Sequence, residues 1–250
     1  MDTTRFAALT AAALMTGAAS AQDLTVVNAP WAGESTHSQM LSEAFGGTFS
    51  SLGQVTGINA KSGVSNLVDT GFTNGSYTFT RISDFGGSSF TTLVDIAGGD
   101  DSTWGAGSYR AEVIGGYSSN EHTFGYMTQG GEFQTVLEAG TGALEMASIH
   151  PNEQFSWAIQ VGQDRQYNAD NLLNEGGQDH MVSYAMFDES NRLIGAILFF
   201  EDWGGSGSDY DYNDFAVMLT LAPTPQAAML GLLGLGGVGL LGGRRRRSIA

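Results

Sequence analysis

Leu193-Ile194-Gly195-Ala196-Ile197-Leu198-Phe199-Phe200 leads into Glu201-Asp202-Trp203-Gly204-Gly205-Ser206-Gly207-Ser208-Asp209-Tyr210-Asp211-Tyr212-Asn213-Asp214, and then into Phe215-Ala216-Val217-Met218-Leu219-Thr220-Leu221. The first run is apolar almost throughout, as expected of a central strand covered on both faces. The last run alternates, with Phe215, Val217, Leu219 and Leu221 in one row. Two apolar runs joined by a polar, glycine-rich connection predict an antiparallel hairpin, and hence a sheet protein.

The same pattern extends upstream. Candidate strands are Leu24–Asn28, Ser76–Ile82, Phe90–Ile96, Ser108–Ile114, His122–Met127, Phe133–Glu138, Phe155–Val161 and Met181–Phe187. Turn signals such as Asn74-Gly75, Gly86-Gly87, Gly115-Gly116 and Gly176-Gly177 separate them. Many short strands between glycine turns predict an all-β, antiparallel sandwich or jelly roll. One helix is expected, over Ser38–Phe45, with Met40, Leu41, Ala44 and Phe45 on a shared face and Thr36 and Gln39 forming a capping box.

Both ends look like addresses. Arg5, the apolar stretch Phe6–Met15 and Ala19-Ser20-Ala21 predict a signal peptide over residues 1–21, with signal peptidase as a partner. At the other end Pro223-Thr224-Pro225 precedes the uncharged residues 227–243 and then Arg244–Arg247. Seventeen residues make roughly 26 Å of helix, a thin single membrane span, and the arginines place its end in the cytoplasm. Between these signals lies a body, residues 22–222, with 25 acidic residues and 5 basic ones, a formal charge of −20. Such a surface repels phosphate backbones and excludes nucleic acid as a partner. With no cysteine in the chain, disulfides, thiolate zinc sites and cysteine nucleophiles are excluded as well.

The connection at 201–214 concentrates chemistry. It holds five carboxylates, Glu201, Asp202, Asp209, Asp211 and Asp214, together with Asn213 and no cationic residue. Two carboxylates 4 Å apart repel by about 4 kcal/mol at an effective dielectric of 20. Such a loop must therefore open into water, take up protons or bind a cation. An all-oxygen donor set suits Ca²⁺ and argues against zinc, so these six residues are the candidate metal ligands. Asp209, Asp211 and Asn213 have the spacing of the first half of an EF-hand loop, but Asp214 replaces its glycine and Thr220 its bidentate Glu.

The tail, residues 223–247, resembles the PEP-CTERM sorting signals of exported bacterial proteins, with Thr224 where that family usually has Glu. The resemblance implies processing by an exosortase-type enzyme and delivery to the cell surface or outer envelope. Residues 120–221 resemble a domain of unknown function found on bacterial surface proteins. The likeness lies in Phe200-Glu201-Asp202, the glycine turn, Asp211-Tyr212-Asn213-Asp214, and the pair Asp179-His180 ahead of the preceding strand. It implies a calcium-binding β-sandwich without established enzymatic activity, in which Asp179 and His180 neighbour the metal.

The resulting expectation is an exported, calcium-stabilised structural or adhesive module of the cell surface or extracellular matrix, and not an enzyme. The alternatives are a carbohydrate-binding module that meets extracellular polysaccharide through loop aromatics such as Trp203, or a polysaccharide hydrolase using two carboxylates of the hairpin. No Gly-x-Ser-x-Gly elbow accompanies His180 and Ser183.

Overall fold

The computed structural model describes residues 24–58, 65–82, 101–139, 146–149, 151–162, 165–169, 174, 177–204 and 207–221. The expected signal peptide, the strand at Phe90–Ile96 and the expected membrane span fall outside these residues. Among the described residues, no helix is long and apolar enough to cross a membrane.

Among the described residues one helix, α1 (His37–Phe45), precedes fourteen strands. They are β1 (Ser50–Ser51), β2 (Gln54–Ile58), β3 (Ser65–Asp69), β4 (Gly71–Thr73), β5 (Tyr77–Arg81), β6 (Tyr109–Gly115), β7 (His122–Thr128), β8 (Phe133–Ala139), β9 (Met146–Ile149), β10 (Phe155–Val161), β11 (Arg165–Asn168), β12 (Met181–Asp188), β13 (Leu193–Phe200) and β14 (Phe215–Leu221). They form an eight-stranded sheet in the order β1-β4-β5-β12-β13-β14-β6-β9, a four-stranded sheet β11-β10-β7-β8, and the hairpin β2-β3. All pairings between named strands are antiparallel. The fold is an all-β sandwich of unequal sheets, wider than the eight strands of a jelly roll.

Period-two alternation sorts the large sheet's side chains to two cores. Met181, Ala185, Ala196, Leu198, Phe200, Phe215, Val217 and Leu219 face the four-stranded sheet, where they meet Phe124, Phe155, Trp157 and Ile159. Val182, Tyr184, Met186, Ile197, Phe199 and Ala216 face the opposite way and pack under Met40, Leu41 and Phe49. The last six residues of β13 are all buried, which explains the unbroken apolar run there: each successive side chain enters a different core. At Gly195 the strands come too close for any side chain, since a Cβ would lie 2.0 Å from the Leu219 carbonyl oxygen.

The helix starts at His37, one residue before the expected Ser38, and its capping box forms as expected, with Thr36 Oγ1 accepting from Gln39 N and Thr36 N donating to Gln39 Oε1 at 2.8 Å. Its buried residues are His37, Met40 and Leu41, whereas Ala44, placed on the same face from sequence, is exposed. Another expectation fails at Leu24–Asn28, which among the described residues pairs only through the single parallel bridge Thr25–Ile58.

Candidate metal centre

Strands β13 and β14 pair from Phe200 opposite Phe215, so the acidic connection begins and ends side by side at one end of two central strands. Glu201 and Asp214 leave the two strands next to one another, and Asp202 N donates to Asp214 Oδ2 at 2.8 Å. Ligand oxygens of Glu201, Asp202 and Asp214 all lie within 4.8 Å of each other. Far from opening into water, Glu201 is 1% and Asp202 3% exposed.

The six residues expected to act together divide into two groups. Asp209 and Asp211 gather with Glu34, from the segment before α1, again with oxygens within 4.8 Å. Asn213 ties the second group to the segment before α1: its amide nitrogen donates to Asp211 Oδ2 at 2.7 Å and to the Ser35 carbonyl at 3.2 Å. The division follows from the backbone, because Tyr210 and Tyr212 adopt φ of 60° and 56°. Bulky residues seldom enter that left-handed region, and the two turns break the alternation that an extended segment would have had. They are held by tethers on both sides. Tyr210 OH donates to Gln178 Oε1, Tyr212 OH donates to the Asp179 carbonyl, and Asn28 N donates to the Tyr210 carbonyl at 2.9 Å.

The three carboxylates of the first group differ in character. Burial raises the affinity of Asp202 for its proton, but three donors on Oδ2 reverse this and hold it at about 2. They are His122 Nε2 at 2.8 Å, Asn120 Nδ2 at 2.9 Å and the Ser118 hydroxyl. Burial, followed by the charges of Asp214 and Asp209, pushes Glu201 up to about 9. Burial and the neighbouring Asp202 push Asp214 up to about 8. In the second group, burial is the leading cause that raises Asp211 to about 7, with Asp209 and Glu34 adding to it. Glu201 Oε2 is buried and has no hydrogen-bond partner.

Of the two expected neighbours, His180 is fully buried and its Nδ1 donates to the Glu201 carbonyl at 3.1 Å. Its ring stacks on Tyr167, with centroids 4.1 Å apart, and burial lowers its pKa to about 4. Asp179 turns toward the N-terminal segment, accepting from Thr25 Oγ1 at 3.2 Å and from Met181 N at 3.0 Å. Both residues pack around the loop without joining either carboxylate group. Glu34 and the donors Ser118, Asn120 and His122 were not foreseen. His122 opens β7 on its inward face, which left it legible as a strand residue only.

Protons and a divalent cation compete for the same oxygens here. Glu201, Asp214 and Asp211 hold protons more tightly in the folded chain than at their ordinary values of 4.5, 3.8 and 3.8. These three groups make the folded state bind more protons than the unfolded one, whereas buried His37 and His180, lowered from 6.5 to about 3 and about 4, make it bind fewer below about pH 6.5; above about pH 7 the carboxyls dominate, and stability falls as pH rises to about 9. Thermal melts in EDTA should show Tm decreasing from pH 7 to pH 9, and saturating calcium should flatten the profile. A Tm that rises over that range in EDTA would contradict these assignments.

Comparisons with known protein families and with curated proteins found no match. Among solved structures, the chain is similar to the C-terminal domain of BC2L-C lectin from Burkholderia cenocepacia, with 14% identity and a TM-score of 0.32, over 49% of this chain and 97% of that one. At that score the likeness fixes neither fold nor ligand.

Proposed function

We propose that this chain is an exported β-sandwich stabilised by calcium, with a structural or adhesive and non-enzymatic role at the cell surface or in the extracellular matrix. The observation that carries the metal assignment is the group Glu201, Asp202 and Asp214. Three carboxylates share one corner with no Lys or Arg partner among the described residues, and one buried oxygen, Glu201 Oε2, has no hydrogen bond there. A buried polar atom left unpaired costs about 1–3 kcal/mol, and a cation bound there would remove that cost together with the mutual repulsion. Hard oxygen donors with loose geometry fit Ca²⁺ better than Mg²⁺, which demands near-octahedral coordination and retains its waters.

The export and sorting assignments rest on the sequence of the two ends, the signal-peptide pattern at 1–21 and the PEP-CTERM-like tail at 223–247. Residues 227–243 would hold the chain in the membrane until an exosortase-type enzyme released it. Isothermal titration of the EDTA-treated protein should give saturable heat with calcium that equimolar magnesium does not suppress. Absence of that heat would remove the metal from the proposal, leaving the acidic hairpin as a proton-binding loop.

A further inference from the structure

The connection between β6 and β7, residues 116–121, carries the chain from the eight-stranded sheet to the four-stranded one and runs along the acidic loop as it does so. Tyr117 N donates to the Asn213 carbonyl at 3.1 Å, and Ser118 N to the Asp214 carbonyl at 3.4 Å. Glycine at 116 permits this approach, since a Cβ there would lie 2.3 Å from the Asp214 carbonyl oxygen. Ser118 Oγ in turn accepts from Asn120 N at 2.9 Å, a local turn that brings both side chains to Asp202.

Their hydrogen bonds converge on one atom. The Ser118 hydroxyl, Asn120 Nδ2 and, at the start of β7, His122 Nε2 all donate to Asp202 Oδ2. A carboxylate oxygen offers about two lone pairs, so three donors saturate it, while Oδ1 of the same group accepts no hydrogen bond among the described residues. Asp214 is divided in the same way, with Oδ2 taking Asp202 N at 2.8 Å and Oδ1 taking no donor among the described residues. Glu201 Oε2 is the third such oxygen, buried and unpaired. Each carboxylate of this group therefore keeps one acceptor for a cation. Ser118 and Asn120 are also uncharged. A Lys or Arg in their place would neutralise Asp202 and repel an incoming cation, whereas neutral donors orient the carboxylate and leave its charge to the ion.

We infer that Ser118 and Asn120 are positioning residues of the calcium centre, which hold Asp202 by Oδ2 so that Oδ1 faces the ion. The inference rests on the calcium reading of the Glu201, Asp202 and Asp214 group. It makes calcium affinity depend on side chains 84 and 82 positions before the ligand they orient. It also gives the ion a place between the layers, because Asp202 follows β13 of the large sheet and its donors lead into β7 of the small one.

The test is a calorimetric calcium titration at 25 °C of the full chain, stripped with EDTA and exchanged into EDTA-free buffer at pH 7, with near-ultraviolet circular dichroism confirming that each variant is folded. Ser118→Ala and Asn120→Ala should each weaken calcium binding by about tenfold or more, as loss of an outer hydrogen bond to a metal ligand does. Ser118→Thr keeps the hydroxyl and should bind within about threefold of wild type. Tyr117→Phe, which removes only the 2.6 Å hydroxyl contact with Ser35 from the same connection, should bind like wild type. His122 is left intact because its ring also packs on Phe215 at 5.0 Å. Wild-type affinity in both alanine variants overturns the inference and leaves the calcium reading standing. An equal loss in Tyr117→Phe, or no recovery in Ser118→Thr, overturns it as well, since the connection would then act through the fold at large. No calcium binding by wild type would remove both readings together.

Discussion

Calcium added to the EDTA-treated protein at a hundred times its Kd should stabilise it by about 2.7 kcal/mol, a Tm rise of roughly 5–11 °C for a domain of this size. The separation of the acidic loop into two groups makes this result specific. A Glu201→Gln, Asp214→Asn double substitution should lose the calcium response. In EDTA near pH 7 the same variant should melt close to wild type, because both carboxyls already hold their protons there, at about 9 and about 8, and a neutral amide replaces a neutral acid. Asp211→Asn, in the group with Glu34 and Asp209, should retain most of the response. If Asp211→Asn abolishes it and the double variant does not, the ion belongs to the other group. If no variant or metal moves the melt, the carboxylates are managed by protons alone.

Trp157→Ala should be the most damaging single core substitution, costing about 3–5 kcal/mol and roughly 6–20 °C in Tm. The indole is fully buried at the centre of the interface between the sheets. It stacks on Phe124 at 5.1 Å and meets Phe155 edge-on at 4.7 Å, Tyr109 at 5.4 Å and Trp104 at 6.3 Å. Truncation would leave a cavity ringed by aromatics too large to collapse into it. Its Nε1 has no hydrogen-bond partner, so Trp157→Phe keeps the aromatic contacts while removing an unsatisfied donor, and should cost much less than the alanine variant. Urea denaturation of the three proteins at one calcium concentration would check the order. An alanine variant within about 1 kcal/mol of wild type would contradict the burial described for this ring.

The strands that the sequence disclosed are those with a buried face. Phe155–Val161, Leu193–Phe200 and Phe215–Leu221 form with the expected bounds, and β5, β6, β7, β8 and β12 are each offset by a residue or two. The missed strands β1, β2 and β3 are short and largely exposed, so no apolar period marks them, and the missed β4 and β9, of three and four residues, are too short to show one. β11 is only four residues and mixed in character. Apolar content misled at Leu24–Asn28, where Leu24 and Val26 are buried but ladder partners are lacking beyond one bridge. At the candidate centre the residue types were legible, since five acids in one hairpin loop stand out against any background. Their grouping was not. It depends on left-handed backbone at two tyrosines, and on Glu34, which lies 175 positions before Asp209 in the chain.

The tethers between the N-terminal segment and the acidic loop also bear on the order in which the protein can be made. Asn28 N grips the Tyr210 carbonyl and His37 grips the Tyr212 carbonyl, across separations of 182 and 175 residues. A ribosome delivers Asn28 and His37 first, and they must wait for nearly the whole chain before their partners emerge. Contacts this distant slow folding, and they leave the underside of the large sheet, with Phe72, Phe79 and Tyr184, uncovered while synthesis proceeds. Completion of the last hairpin would then act as the latch of the fold, so a nascent chain halted before residue 209 should remain open to proteases and chaperones.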